Sequence, residues 1–309
     1  MVKRYWTALT VFLLGLLLVS VACSLRTEPQ LTTTRPPLVL LMSPAPSPPV
    51  TPTQPPHNNP TPTASPAAQA TITPAATEFP DLGWQPLRQG LERQWVNLLT
   101  SEGGVRENLY VVRIDPAMYD FDVGYKPGAP QRLMDWQSET DALVVVNGGF
   151  FTAEGEATGL IIVDGLATGT SYAGFGGMLA VNGAGPILRS LRQQPYDPNE
   201  PLHAALQSFP LLVAPDGQIG YPQEDGLADR RTVIGQDRQG RILLILATSG
   251  TMTLHEMSRY LVESDLDLSI ALNLDGGAST GILLAEPPEG VAPFSLLPIV
   301  ITVHPKERS

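Results

Sequence analysis

A stretch rich in proline, threonine, serine and alanine sets the strongest limit on what this chain can fold into. It occupies residues 27–80, includes PSPPVTPTQPPHNNPTPTASP, and its charges are limited to Glu28, Arg35 and Glu78. Such a composition cannot bury enough apolar surface to offset the entropy lost on folding. We therefore expect residues 24–80 to be a disordered, semi-rigid spacer, rising about 3 Å per residue where it is polyproline-like. The apolar run LVLLM at 38–42 is the one part that this composition does not explain.

Residues 1–23 resemble the signal peptide of a bacterial lipoprotein. Lys3 and Arg4 precede an apolar run at 9–22, which is too short for a comfortable membrane span. Positive residues, a short apolar run and small residues before a cleavage site are typical of a secretory signal. The run ends in SVAC, which resembles a lipobox with serine where leucine is more usual. We expect Cys23 to be lipidated and the protein to be anchored to the cell membrane outside the cytoplasm. The alternative is an ordinary signal peptide and secretion.

The remaining residues, 81–309, are numerous enough to form one domain with a substantial core. The net charge of -11 argues against a nucleic-acid partner. A single cysteine excludes an internal disulfide. We predict no metal site and no cofactor, because no two histidines have metal-ligand spacing among His57, His203, His255 and His304.

The pattern of residues 81–309 predicts an α+β fold, with mixed, largely antiparallel β-sheet layers and a few packing helices in a single domain. We expect residues 109–114 to pair with 119–125, and 142–146 to form a strand buried on both faces. Residues 206–213 are interrupted by Pro210, which favours an edge or bulged strand. Further expected elements are a helix at 131–140, a hairpin around Asp164-Gly165, a strand at 178–181, paired strands at 230–235 and 242–247, a helix capped by Thr253 and Glu256, and strands at 270–274 and 296–303.

Two glycine pairs follow predicted strands and are each preceded by one short polar residue. They are Asn147-Gly148-Gly149 and Asp275-Gly276-Gly277. Glycine lets the backbone approach a ligand closely, and strand ends are common positions for functional side chains. Either motif alone is equally consistent with an ordinary tight turn. Two occurrences in one domain favour a functional site.

The segment RRTVIG at 230–235 adds positive charge. Arg231 has the geometry to hold a carboxylate or a phosphate with two parallel hydrogen bonds. A solvated arginine at a strand edge is the alternative.

Residues 277–281 (GASTG) also match the G-x-S-x-G motif of serine hydrolases, in which Ser279 would be the nucleophile. Glu286 or Glu289 and His304 would then complete a triad. That motif requires a strand, a sharp turn and then a helix, whereas the residues after Gly281 do not predict a helix. A serine hydrolase is therefore kept only as an alternative.

Four blocks together resemble the phosphodiester glycosidase family: VVVNGGFF at 144–151, LQSFPLLV at 206–213, RRTVIG at 230–235 and LNLDGGAST at 272–280. The resemblance covers about residues 105–305. The last block is similar to the family pattern N-L-D-G-G-G-S-S/T, with Ala278 in place of the third glycine. The positions that match the family pocket are Asn147, Arg231, Thr232, Asp275, Gly276, Gly277, Ser279 and Thr280.

The resemblance implies an extracytoplasmic hydrolase that removes a sugar from a glycosyl phosphodiester. Asp275 would be the catalytic base or nucleophile, while Arg231 and glycine amides would hold the phosphate. Substrate contacts are also expected from Asn147, Gly148, Phe150, Thr232, Ser279 and Thr280, with Phe150 stacking on the sugar. The partners would be a glycosyl-phosphate or glycan substrate and, through the lipid, the membrane. A carbohydrate-binding module without turnover is the second alternative.

Overall fold

The computed structural model describes residues 81–306, which fold into strands with few helices. The predicted signal peptide, Cys23 and the spacer lie outside the described residues. The helices described are α1 (Leu133–Thr140), α2 (Leu254–Glu263) and a short 3-10 helix at Gly277–Ser279. The strands, in chain order, are β1 Gln85–Arg88, β2 Leu91–Leu99, β3 Val105–Ile114, β4 Tyr119–Tyr125, β5 Val144–Asn147, β6 Ile161–Val163, β7 Leu166–Thr168, β8 Gly177–Asn182, β9 Gly185–Ser190, β10 Ala204–Ser208, β11 Leu211–Ala214, β12 Gln218–Ile219, β13 Asp229–Asp237, β14 Ile242–Met252, β15 Leu268–Asn273, β16 Ile282–Leu284, β17 Glu289–Val291 and β18 Ile299–Pro305.

These strands form three antiparallel sheets. The largest has eight strands in the order β1-β2-β3-β14-β13-β15-β11-β12. Two five-stranded sheets have the orders β7-β6-β10-β8-β9 and β17-β16-β5-β18-β4. The predicted α+β class, with largely antiparallel sheets and few helices, is confirmed.

Alternation along the strands separates two apolar cores. In β3, Tyr110 and Val112 are buried in a core to which all three sheets contribute. Leu109 and Val111 point the other way and pack with α2 under the eight-stranded sheet. Successive side chains of a strand face opposite sides, so a continuous apolar run such as β3 fills both cores.

Helix α2 has the predicted capping box. The Thr253 hydroxyl accepts a hydrogen bond from the Glu256 amide at 3.1 Å, and the Glu256 carboxylate accepts one from the Thr253 amide at 3.1 Å. Met257 and Leu261 of the same helix are buried against the eight-stranded sheet. Helix α1 packs on one of the smaller sheets instead, where Trp136 contributes to the core. In residues 81–306 no helix is both long enough and apolar enough to cross a membrane.

The predicted pairing of residues 109–114 with 119–125 is wrong. Strand β4 has the predicted bounds, but it pairs with β18 in a different sheet, with Val123 opposite Ile301. The turn at Asp115–Met118 directs the chain into the second layer. There Phe121 and Val123 reach the shared core. Strand β4 cannot pair with β3, because β2 and β14 occupy the two edges of β3.

Residues 206–213 do not form one edge or bulged strand, so that prediction is also wrong. They contain the end of β10 and most of β11, which belong to different sheets on either side of Phe209-Pro210. Proline has no amide hydrogen for the ladder, so the chain leaves one sheet there and joins another.

Candidate active site

The two glycine motifs meet at Asp275 although they end strands of different sheets. The Asp275 amide donates to the Gly148 carbonyl at 3.0 Å. The Asn147 side-chain amide donates to the Asp275 carbonyl at 2.7 Å. The backbone of Asp275 is therefore held from both sides by the end of β5. We call this set of contacts between Asn147, Gly148 and Asp275 the clasp.

Asn147 and Thr232 are fully buried and bonded to protein groups. The Asn147 side-chain oxygen accepts from the Thr232 hydroxyl at 2.8 Å and from the Gly281 amide at 3.1 Å. A direct contact of either side chain with a sugar would require these bonds to break. The structure thus places both residues where they position Asp275, rather than in the contact with substrate that the sequence predicts.

The glycines allow close packing around Asp275. A Cβ atom on Gly148 would lie 2.4 Å from Ile299 Cγ2, and one on Gly276 would lie 2.8 Å from the Arg230 carbonyl oxygen. The Gly276 amide donates to the Asp275 carboxylate at 2.9 Å. The sequence predicts that this amide holds a phosphate, but in the structure it is bonded to the Asp275 carboxylate.

The Asp275 side chain is half-buried and lies close to a second acid. Burial raises the pKa of Asp275, and the negative charge of Asp229 raises it further, while the Ser279 hydroxyl and the Gly276 amide lower it. Asp229 is exposed, and its carboxylate lies against the same turn, because a Cβ atom on Gly277 would be 2.9 Å from Asp229 Oδ2. A carboxylate with a raised pKa is a stronger base than ordinary aspartate. Asp229 is not among the residues predicted from the sequence, where its one signal is its place beside RRTVIG.

The two arginines of RRTVIG have different surroundings. Arg231, the predicted phosphate ligand, is bound by backbone carbonyls, with Nε donating to Met252 at 3.2 Å and Nη2 donating to Leu227. Arg230 is 8 % exposed and donates through Nη2 to the Ala292 carbonyl at 3.1 Å. Its Nε and Nη1 atoms are buried without a hydrogen-bond partner in the described part of the chain. Burial lowers the pKa of both guanidinium groups, against the opposing effect of Asp229.

The surroundings of Ser279 do not fit a nucleophile. Its strand is followed by a single 3-10 turn and then by β16, so the helix that the motif requires is missing at this point. Ser279 is 5 % exposed and its hydroxyl lies 3.3 Å from that of Ser295. The predicted triad partners are engaged elsewhere, His304 with Thr302 at 3.0 Å and Glu289 with Tyr110 at 2.7 Å. Thr280, the other predicted hydroxyl ligand, is fully buried.

Phe150, the residue predicted to stack on a sugar, is partly exposed and packs on Phe209 with ring centroids 4.9 Å apart. Phe209 belongs to a cluster with Tyr172 and Phe175. These three rings are not predicted from the sequence, since they lie on segments that only the tertiary fold brings to Phe150.

One group of side chains in residues 81–306 has the composition to hold a metal ion. His203 Nε2 lies 3.2 Å from Asp122 Oδ2 and 4.0 Å from Asp164 Oδ1. Asp164 and His203 are exposed, and none of the three belongs to the clasp. A cavity of about 640 Å³ beside α1 includes no clasp residue and is lined mainly by apolar side chains such as Ile282 and Val291. It borders the candidate site through Phe294, over which the Arg230 guanidinium lies, and through Ser295, which contacts Ser279. We assign neither feature to the chemistry.

Residues 140–295, about half of the chain, match the family model of the phosphodiester glycosidases. The chain belongs to the phosphodiester glycosidase family. The matched residues include the whole clasp and both arginines. Family membership supports a phosphodiester glycosidase-like hydrolase. A comparison with curated proteins finds no significant match.

Two solved structures share the fold of this phosphodiester glycosidase family member. One is the catalytic domain of zebrafish N-acetylglucosamine-1-phosphodiester alpha-N-acetylglucosaminidase, auto-inhibited by its pro-peptide. It is 20% identical, with a TM-score of 0.56, and the match covers 72% of this chain and 85% of that one. The other is a hypothetical protein from Synechocystis, 16% identical with a TM-score of 0.50, covering 71% of this chain and 62% of that one. At these identities the likeness establishes the fold and leaves the substrate open.

Proposed function

We propose that the protein is an extracytoplasmic, membrane-anchored hydrolase that removes a sugar from a glycosyl phosphodiester. The observation that supports this most is the clasp. It fixes the backbone of Asp275 at the meeting point of two sheets and leaves the carboxylate half-buried with a raised pKa. Acids with raised pKa values in fixed positions are characteristic of catalytic sites.

The bond cleaved would be the one between the anomeric carbon and a phosphate oxygen. The electron pair of that bond leaves with the phosphate monoester, whose second pKa is near 6. Such a leaving group needs less help from a general acid than the alcohol released by ordinary glycosidases. One strong base or nucleophile is therefore sufficient to cleave the bond between the anomeric carbon and the phosphate oxygen.

Asp275 would supply that base. As a base, its carboxylate takes a proton from water while the water oxygen bonds to the anomeric carbon. As a nucleophile, it bonds to that carbon first and water later releases the sugar. Two negative carboxylates, Asp275 and Asp229, would also stabilise the positive charge that develops on the sugar ring. The phosphate would bind on the side of RRTVIG, where Arg230 and Arg231 provide the positive charge.

The test is hydrolysis of an N-acetylglucosamine-1-phosphodiester by the wild-type protein and by Asp275→Asn. Asparagine keeps the size and can still accept the Gly276 amide, but it is neither basic nor nucleophilic. We expect turnover to fall by at least about 10²-fold, with an unchanged melting temperature. Asp225→Asn, which removes an exposed acid close to Asp229 in sequence, is the control and should retain activity. Ser279→Ala should have a smaller effect on turnover, about 1 kcal/mol, the scale of one hydrogen bond.

The same assay separates the alternatives. A carbohydrate-binding module would bind the phosphodiester with the wild-type protein and hydrolyse none of it. A serine hydrolase would lose activity in Ser279→Ala and keep it in Asp275→Asn. The surroundings of Ser279 do not fit a nucleophile. We therefore expect Asp275→Asn, and not Ser279→Ala, to lose activity.

A further inference from the structure

The cavity beside α1 is a groove with a mainly apolar lining. Helix α1 contributes Leu133 and Met134, and β16 contributes Ile282. The segment that follows β17 contributes Phe294 and Leu296. The volume of about 640 Å³ lies within the range of about 300–1,000 Å³ that is typical of ligand pockets. We call this cavity the apolar groove.

Three large apolar side chains of the groove remain exposed. Phe294 is 80% exposed, Met134 is 57% exposed and Leu296 is 50% exposed. Single exposed apolar residues are common on protein surfaces and need no explanation. Several that line one groove mark a site for a ligand, a membrane or another protein.

Backbone hydrogen bonds fix the segment after β17 between the turn that follows Asp275 and the residues before α1. The Phe294 amide donates to the Ala278 carbonyl of that turn at 2.7 Å. Further along, the Leu297 amide donates to the Gln131 carbonyl at 2.8 Å. The groove is therefore preformed and continuous with the candidate active site.

Arg230 connects the groove with the proposed position of the phosphate. Its guanidinium lies over the Phe294 ring, 4.4 Å from the centroid, and Nη2 donates to the Ala292 carbonyl at 3.1 Å. Both contacts are with residues that line the groove. Within residues 81–306, Arg230 Nε and Nη1 are buried without a hydrogen-bond partner, which is costly unless an anion meets them. A phosphate that accepted from these atoms would lie at the edge of the groove.

The two charged side chains that line the groove are bonded within the protein. Glu289 accepts from the Tyr110 hydroxyl at 2.7 Å, and Arg132 donates to Asp135 at 2.8 Å. A sugar in the groove would lose hydrogen bonds to water that an apolar lining does not replace. A hydrocarbon chain has no such bonds to lose, and its burial is favourable in proportion to the apolar area removed from water. The lining therefore favours a hydrocarbon chain over a sugar.

We infer that the apolar groove binds the hydrocarbon chain of a lipid alcohol, which the phosphate joins to the sugar. The substrate would be a sugar-phosphate-lipid diester, with its phosphate at Arg230 and its chain along Phe294 and Leu296. With Asp275 as base, water loses a proton to the carboxylate and its oxygen bonds to the anomeric carbon. The bond from that carbon to the phosphate oxygen breaks, and its electron pair leaves with the lipid phosphate monoester. This inference rests on the proposed function, because it takes that bond to be the one cleaved.

The test compares three N-acetylglucosamine-1-phosphodiesters, with a methyl, an octyl or a hexopyranosyl group on the second oxygen. Dissociation constants are measured by calorimetry on full-length Asp275→Asn, which should bind these esters without consuming them. We expect the octyl ester to bind at least about 10-fold more tightly than the methyl ester, because its chain leaves water. The hexopyranosyl ester should bind less tightly than the octyl ester.

Variants of the groove test whether the octyl chain binds there. Leu296→Asp places a charge in the groove at a half-exposed position, where the fold should tolerate it. It should bring the ratio of octyl to methyl affinity close to one, and Met134→Asp on α1 should do the same. The control is Leu99→Asp, which changes a leucine of β2 that is 59% exposed and does not line the groove. It should leave the ratio as it is in the parent protein.

Equal affinities for the methyl and octyl esters would overturn the inference. So would tighter binding of the hexopyranosyl ester, or loss of the octyl preference in Leu99→Asp as well. Octyl glucoside, which has the chain but no phosphate, tests for non-specific uptake. If it binds as tightly as the octyl ester, the groove is a general apolar surface and the inference is wrong.

Wild-type hydrolysis of the methyl ester tests the proposed function separately, since that ester does not reach the groove. Hydrolysis of the methyl ester without any preference for the octyl ester would contradict the lipid substrate alone. Failure to hydrolyse any of the three esters would contradict the proposed function, and the lipid substrate with it.

Discussion

The carboxylate of Asp229 lies against the turn that follows Asp275, and this proximity predicts a pH dependence. Asp275 must be ionised to act as base or nucleophile, so activity should be lost as the pH falls through its pKa. That pKa is raised by burial and then by the charge of Asp229. Asp229→Asn removes the like charge, so the pKa of Asp275 should fall and the acid limb of kcat/KM should move to lower pH. A pH–rate profile of the two proteins measures the shift.

The control for this prediction is Asp225→Asn, because Asp225 is acidic, exposed and close in sequence but does not act on Asp275. Its acid limb should coincide with that of the wild type. An unmoved limb in Asp229→Asn would mean that the two carboxylates do not communicate in solution.

The two neighbouring arginines should respond differently to the same conservative change. Among the described residues, Arg230 Nε and Nη1 are buried without a hydrogen-bond partner, which is costly unless an anion meets them. The flat face of this guanidinium lies over the Phe294 ring, 4.4 Å from its centroid. Arg230→Lys should therefore raise KM about 10-fold with little change in melting temperature. Arg231→Lys breaks bonds to two carbonyls and should cost about 1 kcal/mol of stability with a smaller effect on KM. Kinetics and thermal unfolding of both variants decide which arginine holds the phosphate. A larger rise in KM for Arg231→Lys than for Arg230→Lys would identify Arg231 as the phosphate ligand.

The clasp depends on how closely β5 approaches β18. A methyl group on Gly148 would lie 2.4 Å from Ile299 Cγ2 and 3.1 Å from the Ile299 carbonyl carbon. Gly148→Ala should cost about 1–3 kcal/mol, as overpacking does, and should lower activity because Asp275 is bonded to the displaced carbonyl. Denaturant unfolding and the hydrolysis assay measure the two effects. Gly183→Ala is the matched control, since a Cβ atom there meets nothing within 4 Å. Equal stability of the two variants would show that β18 adjusts freely.

Sequence alone predicted the elements better than their arrangement. Strand β4 and the capping box of α2 depend on local patterns and were confirmed, whereas the partner of β4 is β18, near the far end of the sequence. No local pattern contains that information. Strand β2 was missed because its residues are mostly half-buried and carry charges, such as Glu92 paired with Arg113 at 2.7 Å.

The candidate site was predictable in the same partial way. Short polar residues after apolar strands indicated Asn147 and Asp275, and the structure brings them together. Whether a side chain faces a ligand or bonds within the protein depends on contacts between distant segments. Asn147 bonds to Thr232, Asp275 and Gly281, and only the folded chain shows that these bonds occupy it. Asp229 and the rings of Tyr172, Phe175 and Phe209 were missed for the same reason.

The expected signal peptide, spacer and domain together predict the cellular location of the protein. If Cys23 carries a lipid, the domain that begins near residue 81 is tethered to a membrane through the spacer. The full-length protein should then fractionate with membranes and incorporate labelled fatty acid. Cys23→Ser should be released or remain unprocessed.

The matched control is a chain without residues 27–80 that keeps Cys23. It should stay membrane-bound, and it should hydrolyse a small phosphodiester at the wild-type rate, because the spacer composition cannot support packing on the domain. Normal processing and membrane binding of Cys23→Ser would rule out the lipid anchor. A lower melting temperature in the shortened chain would instead show that the spacer packs on the domain.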